Sequence, residues 1–193
     1  MSENISIRAF LAIDPPVSVL ENIQAMQSRL KKSIQGVIRW VRPEGIHLTL
    51  KFFGDISAVD VDIISEVVAK KTTVVPPFAL EVRRLGVFPD TARPRIIWLG
   101  IIGQLERLLS LQKDLEEELF LHGFQKEDRP FRAHLTMGRV KVPKGINGLA
   151  PAVEASGDLT AGSFTVGEVA LFRSSLSPQG AIYTKLAAFP LQG

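Results

Sequence analysis

Two of the chain's three histidines stand in the same four-residue frame, His47-Leu48-Thr49-Leu50 and His134-Leu135-Thr136-Met137. Imidazole is the side chain whose ordinary pKa lets it act as base or acid near neutral pH. Two imidazoles approaching from opposite sides can do both at once. Displacement at phosphorus needs that arrangement, because the attacking and leaving oxygens lie roughly in line across the phosphorus. A threonine hydroxyl beside each imidazole would donate to the nonbridging oxygens as charge develops on them. The repeated His-x-Thr therefore points to an enzyme with a paired acid–base site.

The elements must present these groups together. Successive side chains on a strand alternate faces, so His47 and Thr49 share one face while Leu48 and Leu50 take the other, and the same holds for His134 and Thr136 against Leu135 and Met137. Each motif offers polar groups to one side and apolar packing to the other. Arg139 follows His134 by five positions, an odd offset that puts it on the wrong face of a regular strand. A bulge at Gly138 would bring it back to the phosphate side.

Patterning predicts a strand at Ile7–Ile13, a helix opened by Pro15-Pro16 and running to Lys32, and strands at Ile38–Val41 and His47–Phe53. A helix over Val59–Lys71 and strands at Phe78–Phe88 and Arg95–Ile101 follow. The second half repeats the order: a helix over Leu105–Leu121, a strand at Arg132–Val140, a loop over Pro143–Pro151, and strands at Phe164–Leu176 and Ala181–Phe189. His47 lies 31 positions before Phe78 and His134 lies 30 before Phe164; Trp98 and Tyr183 follow the two histidines by 51 and 49. Two copies of one unit, meeting near Gly103, would set equivalent strands around a pseudo-twofold axis. The period is too long for a solenoid.

At 193 residues and 46% hydrophobic, the chain is the size of one globular domain or two small lobes sharing a core. No apolar run is long enough for a membrane span, and the polar start, Met1 to Ser6, has no basic leader, so a cytoplasmic location is expected. Cysteine is absent, which removes disulfides, thiolate catalysis and Cys-based metal sites. A net charge of +3 permits a polyanionic partner without dense basic runs. Arg39, Arg42, Lys51, Arg132, Arg139, Lys141 and Lys144 gather around the two motifs. A cleft between the motifs would be positive.

Several residues invite a plainer reading. His122 precedes Gly123 at a predicted helix end, where it serves the C-terminal carbonyls. Trp40, Phe10 and Phe53 could stack a base but are read mainly as core. Lys51 shares the parity of His47 and is read either as facing the phosphate or as a solvated edge lysine. Tyr183 is given no catalytic role.

The residues resemble the 2H phosphoesterases, and most closely the bacterial and archaeal RNA 2′,3′-cyclic phosphodiesterase (2′-5′ RNA ligase) family. Arg8-Ala9-Phe10-Leu11-Ala12-Ile13 is similar to the family's opening strand, Trp40 with His47-Leu48-Thr49-Leu50-Lys51-Phe52-Phe53-Gly54 to its first motif, and Phe131-Arg132-Ala133-His134-Leu135-Thr136-Met137-Gly138-Arg139 to its second. Ser174-Ser175-Leu176 through Gly180-Ala181-Ile182-Tyr183 resembles the closing hairpin. Ala133 stands where the family commonly has proline, Gly138 where alanine is usual, and Phe53 for a common leucine. None of these departures removes a chemical group.

The resemblance implies an α+β, bilobal, pseudo-twofold fold spanning residues 1–193 as one domain. Each lobe would be a concave, largely antiparallel sheet with helices outside and the site between lobes. It implies hydrolysis of RNA-terminal 2′,3′-cyclic phosphate to a 2′-phosphomonoester without metal or other cofactor, and reversible 2′-5′ joining of RNA ends. His47 and His134 would be the catalytic pair, Thr49, Thr136 and Arg139 the phosphate ligands, His47 the acid to O3′ and His134 the base to water. Partners would be RNA ends or small nucleotides carrying a cyclic phosphate, and a monomer is expected. The competing readings are an RNA-end-binding module without turnover, a phosphodiesterase for small cyclic nucleotides, and a metal hydrolase using both histidines as ligands. The last lacks the closely spaced third ligand that a catalytic zinc site takes.

Overall fold

The computed structural model describes residues 6–177 and 180–193. The polar amino-terminal segment, Ser6 apart, lies outside the described residues, as do residues 178 and 179. The elements are β1 (Ile7–Ile13), α1 (Val17–Ser33), β2 (Ile38–Trp40), β3 (Leu48–Ile56), α2 (Ala58–Thr72), β4 (Phe78–Phe88) and β5 (Ile96–Gly103). Then come α3 (Leu105–Leu121), β6 (His134–Val140), α4 (Leu149–Glu154), β7 (Thr160–Val166), β8 (Glu168–Ser177) and β9 (Gly180–Pro190). No helix among the described residues is long and apolar enough to cross a membrane.

Local chemistry explains most boundaries. Pro16, with φ of −67°, precedes α1, whose buried Val19, Ile23, Met26 and Gln27 form one stripe. Ser57 caps α2 in a reciprocal capping box with Asp60. The α3 stripe is Leu108, Leu111, Leu115 and Leu119, and His122 ends that helix with its Nδ1 against the Glu118 carbonyl at 2.9 Å. Two predicted elements differ. The loop over Pro143–Pro151 closes into α4, entered through Gly148 at φ 79°. The single strand predicted over Phe164–Leu176 is two strands, broken at Gly167, where the chain leaves one sheet for the other.

All strand pairs are antiparallel, in two sheets of order β3-β1-β8-β9 and β2-β6-β5-β4-β7. Helices α2 and α3 pack on the first sheet and α1 and α4 on the second. The motif strands β3 and β6 belong to different sheets and touch each other. Gly103 is the last residue of β5, and each sheet draws strands from both sides of it.

The correspondence between lobes is set by sheet order. In it β3, β1 and β8 match β6, β5 and β4. The 31- and 30-residue spacings instead lead to β4 and β7, which lie side by side in one sheet, Leu80 opposite Phe164. Equal spacing along the chain does not identify equivalent strands, because the second unit begins with β4 and the first is completed by β8 at the end of the chain.

Candidate active site

Each motif strand carries a register slip at the fourth residue of its tetrapeptide. On β3, Ala12 faces Thr49 and Leu11 faces Lys51, so Leu50 is the extra residue. On β6, Trp98 faces Thr136 and Ile97 faces Gly138, so Met137 is extra. The bulge expected at Gly138 sits one residue earlier. Its effect is the one needed: Arg139 falls opposite Ile96 and shares a face with Thr136 and His134. On β3 the same slip turns Lys51 toward the helices. Its side chain is 3% exposed, and its ammonium donates to Glu116 Oε1 at 2.9 Å and to the Gln125 carbonyl at 2.7 Å. Lys51 therefore neither faces the cleft nor lies at a solvated edge.

The Met137 carbonyl accepts from Val41 N–H at 2.9 Å and from Gln27 Nε2 at 3.0 Å. Gln27, 2% exposed, also donates to the Val41 carbonyl at 2.9 Å. Sequence patterning misses this residue, since a lone polar position on a helix stripe gives no sign of the strand turn it serves. Gln27→Leu should lower stability by about 1–3 kcal/mol by stranding buried carbonyls, read from the urea midpoint. It should also reduce activity by loosening the turn that aims Arg139; unchanged activity in the folded variant would remove that link.

The histidines occupy matching aromatic sockets. The His47 ring stacks on Phe10 of β1 at 4.6 Å and on Phe172 of β8 at 6.5 Å, with the edge of Tyr183 at 5.0 Å. The His134 ring meets Phe88 of β4 at 5.1 Å and Trp98 of β5 at 6.3 Å. These partners correspond by sheet order. Gly86 makes room for the indole, since a Cβ there would sit 2.2 Å from Trp98. Phe10 thus serves the core and the site together, whereas Phe88 and Phe172 carry no mark in sequence that separates them from other core aromatics.

Each imidazole is oriented by a carbonyl two residues upstream. His134 Nδ1 donates to the Arg132 carbonyl at 2.7 Å, and His47 hydrogen-bonds the Gly45 backbone. A carbonyl only accepts, so the His134 proton is fixed on Nδ1 and Nε2 is left to the cleft. Burial, then the positive charge of Arg139, pulls the His47 pKa from 6.5 down to about 4, against the Gly45 hydrogen bond. Burial also lowers that of His134, against the Arg132 carbonyl and with a smaller push from Arg139. One guanidinium therefore bears on both rings, whose strands β3 and β6 touch. Thr49 and Thr136 are half-buried on the same strands, Thr49 opposite Ala12 in the small cluster beneath His47. Among the described residues no group of three or more His, Cys, Asp or Glu side chains is placed to hold a metal ion.

The sequence profile of the LigT-like phosphoesterases matches residues 13–98 and 102–183, both motifs included. The chain belongs to this family. Relatives of this LigT-like phosphoesterase include the RNA 2′,3′-cyclic phosphodiesterase of Methanothermobacter thermautotrophicus, 37% identical over 97% of this chain and all of that protein. That of Aquifex aeolicus is 31% identical over 97% of this chain and 98% of its own. Among solved structures, E. coli LigT complexed with 3′-AMP superposes with a TM-score of 0.77 at 26% identity, covering 98% of this chain and all of that one. The two-sheet architecture of this phosphoesterase is thus the family's own.

Proposed function

We propose that this protein opens RNA-terminal 2′,3′-cyclic phosphates to 2′-phosphomonoesters. The observation that carries the reading is a single guanidinium, Arg139, acting on two imidazoles from separate sheets. A phosphate drawn to Arg139 would lie between a proton acceptor and a proton donor. Arg139 and the Thr49 and Thr136 hydroxyls hold the nonbridging oxygens. One imidazole Nε2 takes a proton from water as its oxygen attacks phosphorus; the P–O3′ bond breaks in line, and O3′ takes a proton from the other imidazole.

The unequal surroundings of the two rings support an assignment opposite to the one the resemblance implies. His47 is held neutral more strongly, which suits the base. His134 is depressed less and takes up a proton first when an anionic phosphate enters, which suits the acid. The same steps, with a ribose 5′-hydroxyl attacking phosphorus in place of water and O3′ again leaving, join RNA ends 2′-5′, and their reversal cleaves that junction.

All five groups come from one chain, so a monomer suffices. The reading puts the protein in the cytoplasm, with its RNA. The test is an oligoribonucleotide ending in a 2′,3′-cyclic phosphate, incubated with excess chelator. A 2′-phosphate product is expected; its absence would rule the reading out in favour of an RNA-end-binding module. Smaller cyclic nucleotides are the second reading, favoured by the 3′-AMP that the E. coli relative holds.

A further inference from the structure

Beside the histidines lies a groove of about 700 Å³, most of whose lining takes no part in the chemistry. Arg139 and Tyr183 line it, and the Tyr183 ring also stands perpendicular to the His47 ring with centroids 5.0 Å apart, so the groove is continuous with the reacting site. Its two walls differ in chemistry. One is cationic: Arg42 and Lys141, both exposed, stand beside Arg39, which faces Arg139 across the β2–β6 pair. Neither Arg42 nor Lys141 is paired with a carboxylate among the described residues, and Glu44 is the one acid among the described lining. The other wall is the β8–β9 hairpin, where Leu176 and Ile182 are 88% and 55% exposed. The walls approach at Gly180, where a Cβ would sit 2.6 Å from the Arg39 guanidinium.

We propose that this groove holds the single-stranded RNA on the 5′ side of the cyclic phosphate, with backbone phosphates on Arg42 and Lys141 and bases against Leu176 and Ile182. The inference rests on the cyclic phosphodiesterase reading. A 2′,3′-cyclic phosphate is by its chemistry the 3′ end of its strand, so the rest of the substrate extends from the site in the 5′ direction. A cationic wall opposite an apolar one matches an unpaired strand, which presents phosphates to one side and base faces to the other. A duplex hides its base faces and has nothing to offer the apolar wall. The groove therefore makes an oligonucleotide a better substrate than a mononucleotide.

The experiment compares kcat/KM for a single-stranded pentaribonucleotide ending in 2′,3′-cyclic phosphate with that for a nucleoside 2′,3′-cyclic phosphate. Wild type and the Arg42→Ala/Lys141→Ala double variant are assayed across a KCl series. In wild type the ratio favours the oligonucleotide and falls with salt. In the variant the ratio drops about tenfold, and the log–log salt slope shrinks by about 0.7 for each phosphate that is no longer neutralised. Leu176→Ser/Ile182→Ser lowers the ratio without changing that slope. An unchanged ratio in the cationic variant overturns the proposal, and equal preference for the same strand annealed in a duplex overturns its single-strand form. If wild type turns over neither substrate, the phosphodiesterase reading fails separately. The groove is then judged by fluorescence anisotropy with the pentaribonucleotide carrying a 2′-phosphate: salt-dependent binding that disappears in the double variant supports it, and equal binding by both proteins overturns it.

Discussion

Replacing either His47 or His134 by alanine lowers kcat/KM on a cyclic phosphate about 10²- to 10⁴-fold, the usual contribution of a positioned acid or base. The pH profile separates the two. In wild type kcat/KM is bell-shaped, because the reaction needs one ring neutral and the other charged. The rising limb is expected near 4, where His47 sheds its proton. The falling limb is expected below 6.5, because burial lowers the His134 pKa and raising the pH strips the acid of its proton sooner. The optimum therefore lies on the acidic side of neutral. Residual activity of His47→Ala should lose the rising limb and that of His134→Ala the falling one. If the limbs disappear the other way round, the roles revert to His47 as acid.

Arg139→Gln should cost about 10²- to 10³-fold in kcat, the scale for removing a preorganised group aimed at developing charge. A second readout distinguishes this loss from a packing defect. Arg139 depresses both imidazole pKa values, so its removal raises both. Burial, the larger cause at His47, remains, so that ring rises from about 4 without regaining 6.5. Histidine ring signals followed by NMR through a pH titration measure this directly. Unchanged pKa values in a folded variant would show that the guanidinium does not reach the cleft. Arg139 is also where the two motifs stop being equivalent: the position five after His134 holds an arginine, and the position five after His47 holds Phe52.

The chemical groups and their immediate placement are legible in the chain. The duplicated His-x-Thr, the face shared by each His and Thr, the need for a bulge near Gly138, and the extent of α3 and β4 all follow from residue type and periodicity, which act over a few residues. His122 is legible for the same reason, because a helix end is local. Inferences that count past a local irregularity fail. Strand parity puts Lys51 on the face of His47, and an extra residue at Leu50 reverses the parity of Lys51 and Phe52 before a second slip at Phe53 shifts the register again. The strand over Phe164–Leu176 looks continuous, yet Gly167 moves the chain from one sheet to the other.

Tertiary structure alone decided which strands are equivalent, since pairing joins segments far apart in sequence and ignores equal spacing between them. It paired Phe10 and Phe172 with His47, and Phe88 and Trp98 with His134, and placed Gln27 on the Met137 carbonyl 110 positions away. The sequence by itself determined that two imidazoles and two hydroxyls would be offered in pairs, because side-chain alternation on a strand is a property of the backbone. Their unequal environments arose only on folding, which buried two nearly identical motifs in different sheets and lowered the pKa of one imidazole further than the other.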